Sequence, residues 1–446
     1  MSAGLPTHSS SRFPRNHAMI TGLGYFLDGY NLTVIAVFTY ILATYHMFSY
    51  SAFQMGMVSG SALLGAGIGA TVFGMFSDRF GRRRLFLAYF IPFLLFPVLC
   101  ALSVNINEVI AFRFLLGIGI GADYAIGPVY SIEMFPEESR GKGNVFIWAF
   151  WSLGASTAFI TGYLALVTYG IDAWRIAFAV ISVPALLLLI LKLRLPESND
   201  WKKMESERIK MTLEGDLKDP IRPEKKESSL ALFRGELGFR TAIVWIPWIL
   251  LDVGSYGFGL YGPLIIGGLG FHGPTIFLLT SLFYIVSFIC AFASTPWNDR
   301  FGRKATQALG FGMMGLGLFL LVLTSYTIGI LTTILSFSGL ALWYGMENMG
   351  PANTLKLYSM ELFPTKFRST SIGMATSVTR FVSFMSAFEF PFLVLYIGER
   401  GFFAFLLIFM IAALIFTVGI VPETRGMTLR EIASSRYRKW KVFRRE

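Results

Sequence analysis

The stretch GMFSDRFGRRR, residues 74–84, occurs a second time in the chain as STPWNDRFGRKA, residues 294–305. The aspartates Asp78 and Asp299 are in register, and they are separated by close to half the length of the chain. In both copies the acid is followed by arginine, phenylalanine, glycine and further basic residues. This repeat indicates that a large unit of the chain is duplicated.

Two further motif pairs have nearly the same separation. VYSIEMFPEESRGKG at 129–143 returns as LYSMELFPTKFRSTS at 357–371, which places Glu133 opposite Glu361. LPES at 195–198 returns within VPETRG at 421–426. Because three motifs agree on nearly one offset, the sequence predicts two related halves.

The composition is that of a membrane protein. The chain has 446 residues, of which 54% are hydrophobic and 15% are charged, and its mean hydropathy is +0.60. A soluble protein would carry about 25% charged residues. Apolar runs of about 20 residues, the length that a helix needs to cross a bilayer, recur along the chain. We therefore predict a multi-pass protein surrounded by lipid.

We predict twelve membrane-spanning helices, called spans 1 to 12. Their approximate limits are 18–42, 53–77, 85–104, 107–133, 144–168, 174–193, 241–267, 275–297, 305–323, 327–358, 369–395 and 401–420. The predicted fold is all-α, with two pseudo-symmetric six-helix bundles. The corresponding segments are an N-terminus at 1–17, a first bundle at 18–194, a linker at 195–240, a second bundle at 241–422 and a basic tail at 423–446.

The positive charges predict the orientation. Most of the 38 Lys and Arg residues lie on one side of the predicted spans, whereas Arg175 and Arg400 lie on the other. Cytoplasmic loops are the ones enriched in basic residues, so we expect both termini in the cytoplasm and the protein in the cell membrane. The basic cytoplasmic loops, together with a basic tail that lies against anionic lipid headgroups, account for the net charge of +11. The charge therefore does not indicate binding to nucleic acid.

The repeated motifs place acids and bases together at the predicted cytoplasmic face. The residues are Asp78, Arg82, Glu133 and Arg140 in the first half, and Asp299, Arg303, Glu361 and Arg368 in the second. Charge-assisted pairs among them would close this face and break when it opens. The alternative is that they only anchor the topology, but the repeat preserves acids as well as bases, which favours a gate.

Charged residues inside a membrane are costly and mark functional pathways. They are Asp28 in span 1, Arg113 and Asp123 in span 4, Asp252 in span 7, Glu347 and Lys356 in span 10, and Arg380 and Glu389 in span 11. We interpret Lys356 as a side chain that extends to the cytoplasmic interface. We place Glu347 and Glu389 near the outer mouth, without a role.

Asp28 and Asp252 are separated by nearly the same offset as the repeated motifs and are therefore equivalent positions of the two halves. We expect both to face one central cavity. Asp28 paired with Arg113 would act as a proton switch, because an acid that loses its cationic partner in a low-dielectric site takes up a proton more readily. The alternative is a static buried ion pair.

Span 7 predicts part of a binding surface. Trp248, Asp252 and Tyr256 follow one another at intervals of four residues and so share one helix face. In span 10, Gly350 and Pro351 break the helix, which a membrane tolerates beside a cavity. Arg380 in span 11 would clamp an anionic group.

The motifs resemble those of the major facilitator superfamily over residues 18–430. They are G-x-x-x-D-R-x-G-R-R after span 2, R-F-x-x-G-x-G-x-G in span 4, E-x-F-P-x-x-x-R-G after span 4 and P-E-T-R-G after span 12. The resemblance implies a transporter that exposes its site alternately to the two sides of the membrane.

Within that superfamily, W-x-x-x-D-x-x-x-Y in span 7, G-A-D-Y in span 4 and N-x-G-x-x-N-T in span 10 resemble the phosphate:proton and metabolite:proton symporters. This resemblance implies that the aspartates Asp28, Asp123 and Asp252 carry the coupled proton. It also implies a substrate site made of Tyr124, Trp248, Asp252, Tyr256, Asn348 and Arg380.

The chain departs from the phosphate:proton pattern at two positions. Asn31 stands where that family has aspartate, and Trp151 stands where it has glutamine. Trp151 would narrow the cavity or offer a stacking plane, which suits an organic substrate. Phosphate and small organic acids remain alternatives, with a sugar or polyol as a third. The Gln-Gln pair that sugar porters carry in span 7 is absent, which argues against a sugar.

The competing classes are a proton-coupled symporter, a uniporter and a non-transporting sensor, and none of them is an enzyme. The short loop and tail argue against a sensor. There is no Walker motif, and GAGIGA at 65–70 and GIGIGA at 117–122 lie inside apolar helices rather than between a strand and a helix. The four histidines have no ligand spacing. We expect a monomer with no cofactor or metal, driven by the proton gradient.

Overall fold

The computed structural model describes residues 15–80, 82–134, 140–193, 206, 229–427 and 431–432. Within these ranges the secondary structure is helical, with short 3₁₀ turns at Gly170–Asp172, Ser229–Phe233 and Thr324–Tyr326. The described helices correspond to the twelve predicted spans in order, and they form the all-helical fold that the sequence predicts.

The first half contains spans 1 to 6. Their helices are Arg15–Thr33 with Ile35–Tyr45, Ala52–Phe80, Arg82–Leu102, Ile106–Met134, Arg140–Tyr169, and Ala173–Ala179 with Ser182–Lys192. Span 6 ends at Lys192, which is only 3% exposed.

The second half contains spans 7 to 12. Spans 7 to 10 are Gly235–Leu260 with Gly262–Gly268, Thr275–Phe301, Arg303–Leu323, and Ile330–Met349 with Pro351–Glu361. Spans 11 and 12 form the helical run Thr365–Gly419, whose backbone is non-helical at Gly398 (φ 69°, ψ 172°). Span 7 begins at Gly235, within the segment that the sequence assigns to the linker.

Length and apolar composition explain why these helices cross a bilayer. Among the described residues, eight helical stretches are long and apolar enough to do so. Two of them, Val145–Lys192 and Thr370–Gly419, have 48 and 50 residues, and at about 1.5 Å per residue each is long enough for two crossings. The orientation of the termini stays a prediction.

Span 10 is interrupted where the sequence predicts a break. Gly350 has φ −109° and ψ −102°, outside the helical region, and Pro351 begins the next helix. Proline is tolerated at the first helical position because that position has no helical partner for an N–H group. The break turns span 10 beside the central cavity.

The two halves meet along two pairs of helices, span 2 with span 11 and span 5 with span 8. Hydroxyl groups join both pairs: Thr71 Oγ1 donates to Ser377 Oγ at 2.9 Å, and the hydroxyls of Ser156 and Ser281 are 2.8 Å apart. These contacts are small and polar. They enclose the space between the halves where the cavity lies.

Within the first half, glycines let the helix backbones touch. A Cβ atom on Gly29 of span 1 would overlap the carbonyl oxygen of Trp151 in span 5, and one on Gly154 would overlap that of Phe26. Spans 2 and 4 are equally close, because a Cβ on Gly65 would overlap the carbonyl oxygen of Phe114. Only glycine fits at such contacts.

Candidate functional site

A cavity of about 90 Å³ lies between the halves, which is room for more than a single water molecule. The first half contributes Thr33, Tyr124, Trp148 and Trp151 to its wall. The second half contributes Trp248, Leu251, Asp252, Ser255, Tyr256, Gly259, Leu260, Tyr284, Tyr344, Glu347, Asn348, Ala352, Lys356 and Arg380. The structure thus brings together all seven residues predicted to bind substrate. Their role remains a prediction.

Asp252 and Arg380 form a buried ion pair in the cavity wall. Arg380 Nη2 lies 3.1 Å from Asp252 Oδ2, and the hydroxyl of Ser383 donates to the same oxygen at 2.9 Å. Arg380 Nη1 donates to the hydroxyl of Tyr256, and its guanidinium lies 4.6 Å from the centre of the Tyr256 ring. The predicted stripe on span 7 therefore holds the arginine of span 11 in place.

Lys356 points into the cavity, so our interpretation that it extends to the cytoplasmic interface is wrong. Its ammonium group lies 3.5 Å from the centre of the Trp148 ring, a cation–π contact. Within the part of the chain that the structure describes, Lys356 forms no ion pair with a carboxylate. Glu347 lines the same cavity rather than only the outer mouth, whereas Glu389 is exposed.

Aromatic rings form most of the remaining wall. Trp151 Nε1 donates to the hydroxyl of Tyr124 at 3.0 Å, and Tyr124 stacks on Trp148 with ring centres 5.7 Å apart. Trp151 also packs against Tyr284 of span 8, at 6.2 Å. Flat side chains thus face the cavity from both halves.

Asn348 links span 10 to the contact between the halves. Its side-chain amide donates to the hydroxyl of Ser287 at 2.7 Å, and that hydroxyl lies 3.3 Å from the hydroxyl of Ser152 in span 5. Below the break, Asn353 Nδ2 donates to the carbonyl oxygen of Asn348 at 2.5 Å. Asn348 therefore connects a cavity wall to the helices that must separate when the halves move.

A second polar cluster lies in the first half, outside the cavity lining. Asp123 Oδ1 accepts a hydrogen bond from the hydroxyl of Tyr89 and lies 3.8 Å from Lys192 Nζ. Lys192 Nζ also donates to the hydroxyl of Tyr89 at 3.3 Å and lies 4.3 Å from the centre of the Phe90 ring. We call Asp28, Asp123, Lys192, Tyr25 and Tyr89 the span 1–6 cluster.

Asp28 belongs to this cluster and is not among the residues that line the cavity. It is 0% exposed, and neither carboxylate oxygen has a hydrogen-bond partner among the described residues. Its nearest charged neighbours are Asp123, Lys192 and Arg380. Asp252 lines the cavity and Asp28 does not, so that a shared cavity stays a prediction for Asp28.

The predicted pair of Asp28 with Arg113 is not formed. Arg113 is fully buried and donates to the backbone carbonyl of Asn31 in span 1, one helical turn away from Asp28. The cations that act on Asp28 are Lys192 and Arg380. Lys192 gives no signal of such a role in the sequence, because it ends an apolar run beside a predicted cytoplasmic segment.

The predicted gate is described only in the second half. Arg303 Nη2 lies 3.2 Å from Glu361 Oε1, and Thr424 Oγ1 donates to Glu361 Oε2 at 2.6 Å. The carboxylate of Glu423 accepts hydrogen bonds from the backbone N–H groups of Arg303 and Lys304, both at 3.0 Å. The motif after span 8 is thus tied to those after spans 10 and 12.

The other predicted gate residues are less completely described. Asp299 is exposed. The side chains of Asp78, Arg82, Glu133, Arg140 and Arg368 lie outside the described part of the structure. Gating by these residues stays a prediction.

Burial raises the pKa of the Glu361 carboxyl, while Arg303 and the hydrogen bond from Thr424 lower it. The net direction is upward, because removal from water disfavours the charged form more than these two partners stabilise it.

Among the described residues, no group of His, Cys, Asp and Glu side chains is arranged to hold a metal ion.

Comparison with known proteins identifies the family. The family described as "Sugar (and other) transporter" matches residues 17–435. An Escherichia coli protein named as a metabolite transport protein is 29% identical over 427 residues, covering 92% of both chains. The niacin transporter of Acinetobacter baylyi is 25% identical and covers 93% of this chain and 95% of its own. The arabinose-proton symporter of Bacillus subtilis is 27% identical, covering 96% and 98%.

The fold has a counterpart among solved structures. The crystal structure of a D-xylose-proton symporter superposes with a TM-score of 0.76 at 24% identity, covering 94% of this chain and all of that one. These relatives do not support the predicted membership in the branch of phosphate:proton symporters. The chain belongs to the family of sugar and other transporters and has the major facilitator fold, so it is a membrane transporter and not an enzyme.

Proposed function

We propose that this transporter carries a small aromatic carboxylate across the membrane together with a proton. The observation that carries the proposal is Lys356, an ammonium group that lies on the face of Trp148 inside the cavity and has no carboxylate partner in the described structure. An unpaired cation in a site with little water gains most from an anionic ligand.

The charges of the cavity favour one negative group on the substrate. Arg380 is already held by Asp252 and Tyr256, so its charge is largely compensated. Glu347 is the other carboxyl group of the cavity, and in its neutral form it leaves Lys356 as the cation available to a substrate carboxylate. A charged hydrogen bond of this kind contributes about 1.5–3 kcal/mol. A carboxylate with a single negative charge matches one ammonium group better than phosphate does.

The shape and chemistry of the wall favour a flat ring behind that carboxylate. Tyr124, Trp148, Trp151 and Tyr284 line the cavity with aromatic rings from both halves. Aromatic groups stack on such faces with a gain of about 0.5–1.5 kcal/mol for each pair beyond simple burial. The niacin transporter among the relatives supports this choice, because niacin is an aromatic carboxylate.

Proton coupling is the second part of the proposal. A buried carboxylate without a partner, as at Asp28, is costly when charged and is neutralised by a proton. Movement of one proton with a monoanion transfers no net charge, so the pH gradient drives uptake. The arabinose-proton symporter among the relatives supports this energy source.

Purified protein in liposomes tests the proposal with niacin and its uncharged amide as matched probes. We expect niacin, but not the amide, to compete with labelled niacin and to accumulate when the lumen is more alkaline. Protein-free liposomes control for passive entry of the protonated acid. Lys356→Met should raise the KM for niacin about tenfold or more, equivalent to about 1.4 kcal/mol or more.

Two results would reject the aromatic carboxylate. One is equal competition by niacin and its amide, and the other is uptake of arabinose with no effect of either. The second result would assign a neutral sugar or polyol, for which the hydrogen-bonding side chain of Asn348 in the cavity wall would be the natural contact.

A further inference from the structure

We propose that Lys192 is the cation of the proton-coupling site, and that Asp28, Asp123 and Lys192 together bind the one proton that is transported. This inference rests on the proposed proton coupling and assigns it to particular groups. It replaces the predicted pair of Asp28 with Arg113, which the structure does not form.

The first argument is the geometry around Gly24. Gly24 precedes Asp28 by one helical turn, so the two positions lie on the same face of span 1. A Cβ atom on Gly24 would lie 3.0 Å from Asp123 Oδ2 and 3.3 Å from Lys192 Nζ. The ion pair of spans 4 and 6 therefore rests directly on the face of span 1 that carries Asp28.

The second argument is the charge of the cluster. Asp28, Asp123 and Lys192 are all 3% exposed or less. Two ionised carboxylates and one ammonium group would leave one buried negative charge without a cation of its own among the described residues, and an unpaired buried charge carries a large free-energy penalty. Binding one proton to Asp28 converts its carboxylate into a neutral carboxylic acid and leaves Asp123 paired with Lys192.

Among the described residues, the other polar groups around Asp28 do not remove this excess. They are Tyr25 of span 1, Tyr89 of span 3, Tyr124 of span 4 and Arg380 of span 11. The tyrosines are neutral, and Arg380 is compensated by Asp252. The proton is therefore required as long as the cluster is closed to water. Opening to water allows Asp28 to ionise and release it.

Tyr25 connects the cluster to the cavity. A Cβ on Gly127 would lie 3.4 Å from both the Tyr25 hydroxyl and Asp123 Oδ1, so these two atoms flank the same spot. The Tyr25 ring packs on Trp148 with centres 4.3 Å apart, and Trp148 carries Lys356 on its ring. A substrate that moves Lys356 or Trp148 therefore acts on the cluster through one tyrosine.

The experiment separates accumulation from exchange in liposomes, with labelled niacin as the probe. A difference of one pH unit drives about tenfold accumulation of a solute carried with one proton. We expect Lys192→Met and Asp123→Asn to lower this ratio from about tenfold to about onefold, while exchange of internal for external niacin at equal pH persists. Lys192→Arg, which keeps the charge, should retain accumulation.

Arg175→Met removes a cation from the opposite end of span 6 and serves as the matched control. The proposal is overturned if Lys192→Met accumulates niacin like the wild type. It is also overturned if Arg113→Met loses accumulation but keeps exchange while Lys192→Met loses neither. If Lys192→Met fails to fold, Asp123→Asn takes its place, and accumulation of niacin by Asp123→Asn at the wild-type ratio would overturn the proposal.

A measurement without substrate keeps this inference distinct from the choice of niacin. A proton held by the folded cluster stabilises the protein at low pH, and that stability is lost as the pH rises and the proton leaves. We expect Asp28→Asn to flatten the fall of the melting temperature with rising pH. An unchanged slope overturns the assignment of the proton to Asp28, whatever the transported solute is.

Discussion

Asp28 and Asp252 occupy the same position of the repeat, yet their surroundings differ. Asp252 has a guanidinium partner, accepts a hydrogen bond from Ser383 and lines the cavity. Asp28 has no hydrogen-bond partner among the described residues and is not among the residues that line the cavity. The duplication therefore kept the acid but changed its partners. One copy now lines the cavity beside its guanidinium partner, and we propose that the other carries the proton.

Removing the partner of Asp252 should have the largest effect. Arg380→Gln leaves the Asp252 carboxylate buried without a cation, which costs about 3–5 kcal/mol. We expect a strongly lowered melting temperature in detergent and a raised KM for niacin. The double variant Arg380→Gln with Asp252→Asn should recover most of the stability, and a double variant as unstable as the single one would contradict the pairing.

Replacing each acid by its amide should distinguish the two halves directly. Asp252→Asn leaves Arg380 without its counter-charge and should lower the free energy of unfolding by about 1–3 kcal/mol. Asp28→Asn removes a carboxyl group that has no hydrogen-bond partner among the described residues, so stability should change by less than about 1 kcal/mol or increase. Thermal denaturation of the two variants measures the difference. Equal losses would show that Asp28 has a stabilising partner after all.

A methyl group on Gly24 should disturb only the first half. Gly24→Ala places a Cβ against Asp123 and Lys192, and overpacking of this kind costs about 1–3 kcal/mol. We expect weaker accumulation of niacin with a normal KM. Gly373→Ala is the control, because no described atom lies close to a Cβ there. A raised KM in Gly24→Ala would mean that the span 1–6 cluster also shapes the binding surface.

The smallest effect is expected at the predicted cytoplasmic end of the second half. Because the pKa of Glu361 is raised, charging this carboxyl costs more in the folded protein than in the unfolded chain. Stability therefore falls as the pH rises through the raised pKa. Glu361→Gln should reduce the decrease of the free energy of unfolding with rising pH by about 1 kcal/mol or less. Melting curves from acidic to neutral pH provide the measurement, and an identical slope in the variant would contradict it.

Much of the fold could be predicted because its signals are local. Each span is an apolar run of about the thickness of the bilayer, and the duplication is visible in repeated motifs such as those around Asp78 and Asp299. The break at Gly350 was also predictable, since proline removes a helical hydrogen bond and glycine leaves the preceding backbone free to turn. The pair alone does not decide the outcome, because Gly127 and Pro128 lie within the continuous helix Ile106–Met134.

Partners across the bundle were less predictable. Asp28 and Arg113 were paired from their positions along spans 1 and 4, but such positions do not determine the direction in which a side chain leaves its helix. Arg113 meets the carbonyl of Asn31 instead. Lys192 and Lys356 both lie near the predicted cytoplasmic ends of their spans, where lysines commonly reach the interface. Only the packing of Phe90 and Trp148 shows that their ammonium groups turn inward.

The backbone contacts at Gly29 and Gly154 have a practical consequence for single-molecule work. Helices that touch through their backbones cannot slide past each other by exchanging side-chain rotamers, so spans 1 and 5 should keep one mutual distance throughout the cycle. A fluorophore attached to either of them has a fixed frame of reference. Energy transfer to a second dye on span 10, beyond its break at Gly350, would then report the displacement of that helix alone.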